Sequence, residues 1–153
     1  GVRYGYRCEN PVNIEDMYCR SRQEGFGDEV KRRIMVGSYL LSGKNATEYY
    51  NKALSIRDDM KKEFDKVFAD YDLIIGPTTT TVAYGIDESL DDPKKSFMDD
   101  VLVIPVNMAG LPGISVPLKT DTLPIGLHII GKAFDEATMY QLASFIEEGY
   151  HGV

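Results

Sequence analysis

Apolar residues recur at spacings of three and four along Tyr49, Ala53, Ile56, Met60, Phe64, Val67 and Phe68, while Lys, Asp and Glu fill the opposite face. That period predicts an amphipathic helix packed by its stripe on a core, capped by Asn45 or Thr47. A second stripe, Val30, Ile34, Met35, Tyr39 and Leu41, predicts a helix that starts near Asp28, an acceptable N-cap. Ser42-Gly43 ends it. Residues 96–102 read as a further helix, and Pro105 starts or kinks a short one after it. A final helix is expected from about Asp135 to Glu148 over Met139, Leu142, Ala143 and Ile146.

The strands are shorter. Leu73-Ile74-Ile75 reads as a buried strand stopped by Gly76-Pro77. The stretches Val103-Ile-Pro-Val-Asn-Met-Ala-Gly-Leu-Pro-Gly-Ile-Ser-Val-Pro-Leu118 and Leu123-Pro-Ile-Gly-Leu-His-Ile-Ile-Gly131 each end in a β-rich apolar run entered through Pro or Gly. Such runs suit strands buried on both faces. Residues 1–27 read as an irregular lead-in closed by Gly25-Phe-Gly27. The polar run Thr78–Thr81 and the acidic Asp87–Pro93 form a long loop, and loops of that length in compact domains are often functional. The resulting order is helix, helix, strand, helix, strand, strand, helix, which predicts an α/β fold with helices packed on a sheet. At 153 residues, without repeats or linkers, the chain has the length of one domain.

Composition narrows the function classes. With 43% apolar and 27% charged residues the chain reads as globular. No apolar run reaches the roughly 18 residues of a membrane span, and no signal-peptide pattern opens the sequence, so no membrane and a cytoplasmic location are expected. Its two cysteines, Cys8 and Cys19, have neither CxxC spacing nor clustered histidines, which predicts reduced thiols and no metal site. The net charge of −7 argues against a nucleic-acid face, which needs surplus Lys and Arg against phosphates. The richest basic cluster, Lys31-Arg32-Arg33, shares its predicted helix with Asp28 and Glu29.

Familiar catalytic patterns are absent from these residues: no GxSxG elbow, no phosphate-cradling Gly loop, no HExxH. His128 lies inside an apolar strand, where a structural role is expected, and His151 lies in the tail. Ser115, in Gly113-Ile-Ser-Val116, is mid-strand without a neighbouring base and reads as a small core-facing polar residue.

The strings "PVNMAGLPGISVPL" and "LPIGLHIIGKAFDEATMYQLA" go further, because they resemble the C-terminal end of the amidase signature family. The resemblance extends over residues 1–149 and implies that residues 1–153 are a single fragment, the C-terminal portion of an amidase domain with helices on a mixed β-sheet. Enzymes of that family activate a Ser nucleophile with a second Ser and a Lys. Those residues belong to an upstream motif of the family, so no catalytic residue is assigned here, and the fragment alone is expected to be inactive.

Within the family, the acidic Asp91-Asp92-Pro93 is similar to the glutaminase branch. There the amidase-type chain hydrolyses glutamine and passes ammonia to a partner subunit. The resemblance therefore implies partner subunits of types B and C, with ATP and Mg used by the partner to convert Glu-tRNA(Gln) to Gln-tRNA(Gln). The tRNA would be held by that partner, and this segment would carry no cofactor.

The resemblance also implies two glutamine-binding residues. Arg33, in Gly25-Phe-Gly-Asp-Glu-Val-Lys-Arg-Arg-Ile34, would hold the α-carboxylate, and Asp100, just before the "VNMAGLP" motif, the α-ammonium. A guanidinium fork suits a carboxylate, and a carboxylate suits an ammonium. The rival for Arg33 is a surface pair with Glu29, four residues earlier. Thr78, Thr79 and Tyr84 follow a "GPT" motif that lines the family's active-site region, although Thr80 stands where members often have a second Pro. Two other readings are a different amidase-signature hydrolase, which would have no use for Arg33 and Asp100 together, and a non-catalytic binding or assembly module.

Overall fold

A computed structural model describes residues 3–85, 98–118 and 120–151. The chain divides into two units, Gly1–Ala53 and Leu54–Val153.

The first unit is helical where an irregular lead-in is expected. Helix α1 spans Ile14–Gly25, and α2 spans Asp28–Leu40. The start of α1 is a reciprocal cap that the apolar pattern does not reveal. Asn13 Oδ1 accepts from Asp16 N at 2.8 Å, and Asp16 Oδ2 accepts from Val12 N at 2.9 Å. Glu15 and Asp16 also place negative charge at the positive end of the helix dipole. Cys8 anchors the segment before it, with its buried N–H donating to Ser21 Oγ at 3.1 Å. The cap of α2 is Gly27 rather than Asp28, which lies inside the first turn with Glu29. The apolar stripe of α2 is exposed, with no buried residue along the helix. After α2, a single turn at Gly43–Asn45 and a π-helical turn at Ala46–Tyr50 run directly into α3, Asn51–Asp70. Neither Asn45 nor Thr47 caps that helix, because the backbone is already helical through them.

The second unit is a three-stranded sheet with helices on both faces. Its strands are β1 (Leu73–Pro77), β2 (Gly113–Leu118) and β3 (Ile125–Gly131), in the order β1-β3-β2. Both pairings are antiparallel, so β1 and β2 run parallel to one another on either side of β3. Gly76 and Pro77 continue β1 instead of stopping it, since an edge strand tolerates a missing N–H. Helix α4, Ile104–Ala109, has Pro105 in its first turn, where no donor is lost, and ends at Gly110 in the left-handed region at φ 71°. Helix α5, Glu136–His151, is capped by Asp135, whose Oδ1 accepts from Thr138 N and Oγ1.

Only the second half of β3, His128–Gly131, is uniformly buried. β2 alternates, burying Val116 while Ser115 and Pro117 stay exposed, because it is an edge strand with one covered face. Ile129 is 0% exposed and packs with Val116, Met139 and Ala143 towards α5. Ile130, one residue on, points the other way and packs with Phe68 and Val106. The stripe of α3 is therefore core only at its end. Phe64 and Phe68 pack on Ile130, whereas Ile56, Met60 and Val67 remain exposed beside Ile74 in an apolar groove of about 450 Å³.

The face carrying Ile130 also holds a polar row. Thr78 Oγ1 and Ser115 Oγ lie 2.6 Å apart, so Ser115 is an exposed, hydrogen-bonded residue and not core-facing. They meet across Gly126, where a Cβ would sit 2.5 Å from Ser115 Oγ and 2.7 Å from Thr78 Oγ1. A Cβ at Gly113 would stand 2.8 Å from Nε2 of His128, the register partner of Ser115. Thr78, Ser115, Gly113 and His128, with Asn107, line a cavity of about 250 Å³. His128 is only 7% exposed, and burial lowers its pKa from the ordinary histidine value.

Two outcomes follow from this packing. The isolated chain is expected to self-associate and to bind an apolar-surface dye through the α2 stripe and the α3 groove. A monomeric sedimentation profile at high concentration without dye binding would contradict it. The second concerns acid. Burial holds the His128 pKa in the fold below that of the unfolded chain, near 6.5, so between the two values the unfolded state binds more protons. Stability should fall as pH drops below about 6.5 and level off beneath the folded pKa. His128→Gln should remove that part of the slope in chemical denaturation from pH 7.5 to 5, and an unchanged slope would refute the assignment.

Candidate functional site

Asp100 lies where the chain turns into α4. Met98 and Asp99 are helical, and residues 100–103 form a turn. The Asp100 carbonyl accepts from Val103 N at 3.1 Å and Ile104 N at 3.0 Å, starting α4. The expected helix over residues 96–102 thus ends at Asp99 in its described part, and residues 96 and 97 lie outside the described residues. Asp100 is half-buried, and its carboxylate makes no hydrogen bond or ion pair among the described residues. A partly desolvated carboxylate without a partner has unused acceptor capacity, and a cationic group satisfies it best.

Its neighbour Asp99 is engaged. Tyr84 donates its phenolic O–H to Asp99 Oδ2. Thr80 Oγ1 donates to the Met98 carbonyl at 3.4 Å. The loop carrying these donors is itself tied down, with Thr78 N donating to the Gly126 carbonyl at 2.9 Å and Thr79 Oγ1 to the Thr81 carbonyl at 2.7 Å. Residues 79–83 line a shallow cavity of about 210 Å³ with Pro124 and Ile125. The acidic residues Asp87–Pro93 lie outside the described residues.

Arg33 belongs to the first unit and Asp100 to the second. Arg33 is 61% exposed on α2, and its Nε donates to Glu29 Oε1 at 2.8 Å, so the surface pair is present. Arg32 holds the same carboxylate with a fork, Nε to Oε2 and Nη2 to Oε1, both at 2.8 Å. The Arg32 fork first, then Arg33, lower the Glu29 pKa to about 2. Two guanidinium groups thus share one carboxylate. The Nη groups of Arg33 have no partner among the described residues. A carboxylate ligand could be taken on that edge without breaking the Glu29 contact.

Sequence reasoning misses the tie between Tyr84 and Asp99 and the hydroxyl pair over Gly126. The first joins residues 15 apart and has no periodic signature. For the second, Gly126 inside a strand is the available signal of a close approach. Among the described residues, no three His, Cys, Asp or Glu side chains converge as a metal site would need.

The sequence model of the Amidase family matches residues 2–140. The chain is 54% identical over 149 residues to the A-type subunit of the glutamyl-tRNA(Gln) amidotransferase of Enterococcus faecalis, covering 97% of this chain and 30% of that protein. It is 53% identical over 154 residues to the A-type subunit of the same enzyme from Geobacillus thermodenitrificans, covering 99% of this chain and 32% of that protein. The chain therefore spans about a third of the length of these curated relatives. Among solved structures, the A-type glutamyl-tRNA(Gln) amidotransferase subunit of Thermotoga maritima is similar, with a TM-score of 0.57 and 40% identity over 78% of this chain and 26% of that one. A crystal structure of an amidase shares the fold at a TM-score of 0.66 and 20% identity, over 86% of this chain and 31% of that one. With its helices laid on an antiparallel sheet and the family match covering most of its length, this chain belongs to the amidase family.

Proposed function

We propose that this chain is the C-terminal part of the glutaminase (A) subunit of a Glu-tRNA(Gln) amidotransferase, one portion of a single amidase domain. The observation that carries this reading is the 52–54% identity to such subunits along nearly the whole chain. Amide hydrolases of other specificity, such as the 6-aminohexanoate cyclic dimer hydrolase, stand at 21% and share the fold alone. In the complete protein, a Ser nucleophile with a second Ser and a Lys, supplied by the rest of the polypeptide, hydrolyses glutamine. The B and C subunits are its partners in the cytoplasm. The B subunit, with ATP and Mg, uses the ammonia to convert Glu-tRNA(Gln) to Gln-tRNA(Gln) and holds the tRNA.

The role of this segment is recognition of the amino-acid head. Asp100 takes the α-ammonium with its open carboxylate. Arg33 takes the α-carboxylate with the Nη edge that Glu29 leaves unused. Glu29 neutralises only one of the two guanidinium groups it binds, so the cluster keeps a net positive charge suited to an anion. A neutral or apolar amide substrate would need neither residue.

Two outcomes test this. The 153-residue chain alone should release no ammonia from glutamine, and enzyme-dependent release by the purified chain would overturn the reading. In the full complex, Arg33→Ala or Asp100→Ala should lower kcat/KM for glutamine by roughly 30- to 1000-fold, about 2–4 kcal/mol per charge-assisted bond. Amidation driven by free ammonia should survive, because it bypasses the glutamine head site. Equal loss of both activities would return Arg33 to a surface partner of Glu29 and Asp100 to a structural turn.

A further inference from the structure

Three consecutive residues before α4 are held in three different ways. The Met98 carbonyl is tied to Thr80, the Asp99 carboxylate to Tyr84, and the Asp100 carbonyl to the first N–H groups of α4. The donors on the other side are also anchored. Thr78 is joined to β3 by its N–H on the Gly126 carbonyl and to β2 by the hydroxyl contact with Ser115. The loop from Thr78 to Tyr84 is therefore hydrogen-bonded to the sheet at one end and to the residues just before Asp100 through Thr80 and Tyr84. Among the described residues, Asp100 itself is held only through its backbone, and its carboxylate has no partner.

We propose that Tyr84, through its hydrogen bond to Asp99, is a positioning residue that aims the Asp100 carboxylate at the substrate ammonium. This rests on the reading of Asp100 as the ammonium acceptor. Two adjacent carboxylates could compete for one cation. Tyr84 removes Asp99 from that competition by giving it a neutral donor, and fixes the backbone from which Asp100 projects. A carboxylate held in its bound geometry loses less conformational freedom when the ligand arrives. The expected signature is a change in substrate capture rather than in the chemical step. Thr80 supports the same turn through a longer bond and should contribute less.

The experiment uses the full-length amidotransferase with its partner subunits. It measures KM and kcat for glutamine, ammonia-driven amidation and melting temperature for Tyr84→Phe, Asp99→Ala, Asp99→Asn, the Tyr84→Phe/Asp99→Ala double variant and Asp100→Ala. Tyr84→Phe and Asp99→Ala should each raise KM for glutamine about 5- to 10-fold, the loss expected for one typical net hydrogen bond, since the Tyr84 contact acts on the substrate only through Asp100. Glutamine kcat, ammonia-driven activity and melting temperature should hold. The double variant should be no worse than either single one, since both remove the same bond. Asp99→Asn keeps an acceptor for the phenol and should stay near the parent KM.

An unchanged KM in Tyr84→Phe, beside a raised KM in Asp100→Ala, would overturn the positioning role and leave the substrate reading intact. Intact glutamine use in Asp100→Ala would instead remove the reading underneath it. Additive losses in the double variant, or a parallel fall in ammonia-driven activity and melting temperature for Tyr84→Phe, would also overturn the positioning role.

Discussion

The second unit depends on β3 lying between two strands and two helical layers. β1 and β2 each pair only with β3 among the described strands, so both registers are set by one seven-residue segment. Because successive side chains alternate, Ile129 is committed to the α5 face and Ile130 to the α3 and α4 face. A slip of one residue would exchange them and turn His128 into the apolar cluster under α5. Gly131 closes the strand where a Cβ would meet the Asp135 carbonyl at 3.2 Å. Lys132 Nζ then reaches Asp72 Oδ1 at 3.0 Å, joining the end of β3 to the start of β1.

That register places the site's support. With Gly126 level with Thr78, the Thr-rich loop leaves the sheet at a fixed point, and its hydroxyls can be spent on holding residues 98 and 99. Among the described residues, the polar groups on that sheet face are Thr78, Ser115 and His128, with no Asp, Glu, Lys or Arg. Charge in this unit is kept off that face, at Asp99 and Asp100 before α4. On the proposed reading of Asp100, the sheet supplies the rigidity and the segment outside it the ionic contact.

The parts of the fold legible in the sequence are those with a period or a packing cost. The three strands, α2, α3 and α5 follow from apolar spacing, and Pro105 marks the start of α4. Helix α1 is not legible, because Tyr18 and Met17 give no clear stripe and its start is set by the Asn13–Asp16 cap instead. Composition overestimates the burial of β2, since it does not distinguish an edge strand from a central one. For the candidate site, Arg33 and Asp100 can be chosen only through resemblance to a family. No local rule separates Asp100 from Asp99, and the difference lies in which of them Tyr84 reaches. The competing contact of Arg33 with Glu29, by contrast, can be read from the i,i+4 spacing alone.

The central claim is that the open carboxylate of Asp100 receives the amino group of the substrate. The most direct measurement is a structure of the full-length enzyme with glutamine bound. The account predicts a carboxylate oxygen of Asp100 within about 3 Å of the α-nitrogen, with the Tyr84 to Asp99 hydrogen bond retained. Glutamine bound with its α-nitrogen on another acidic residue, or Asp100 paired with a cation of the protein itself, would contradict it.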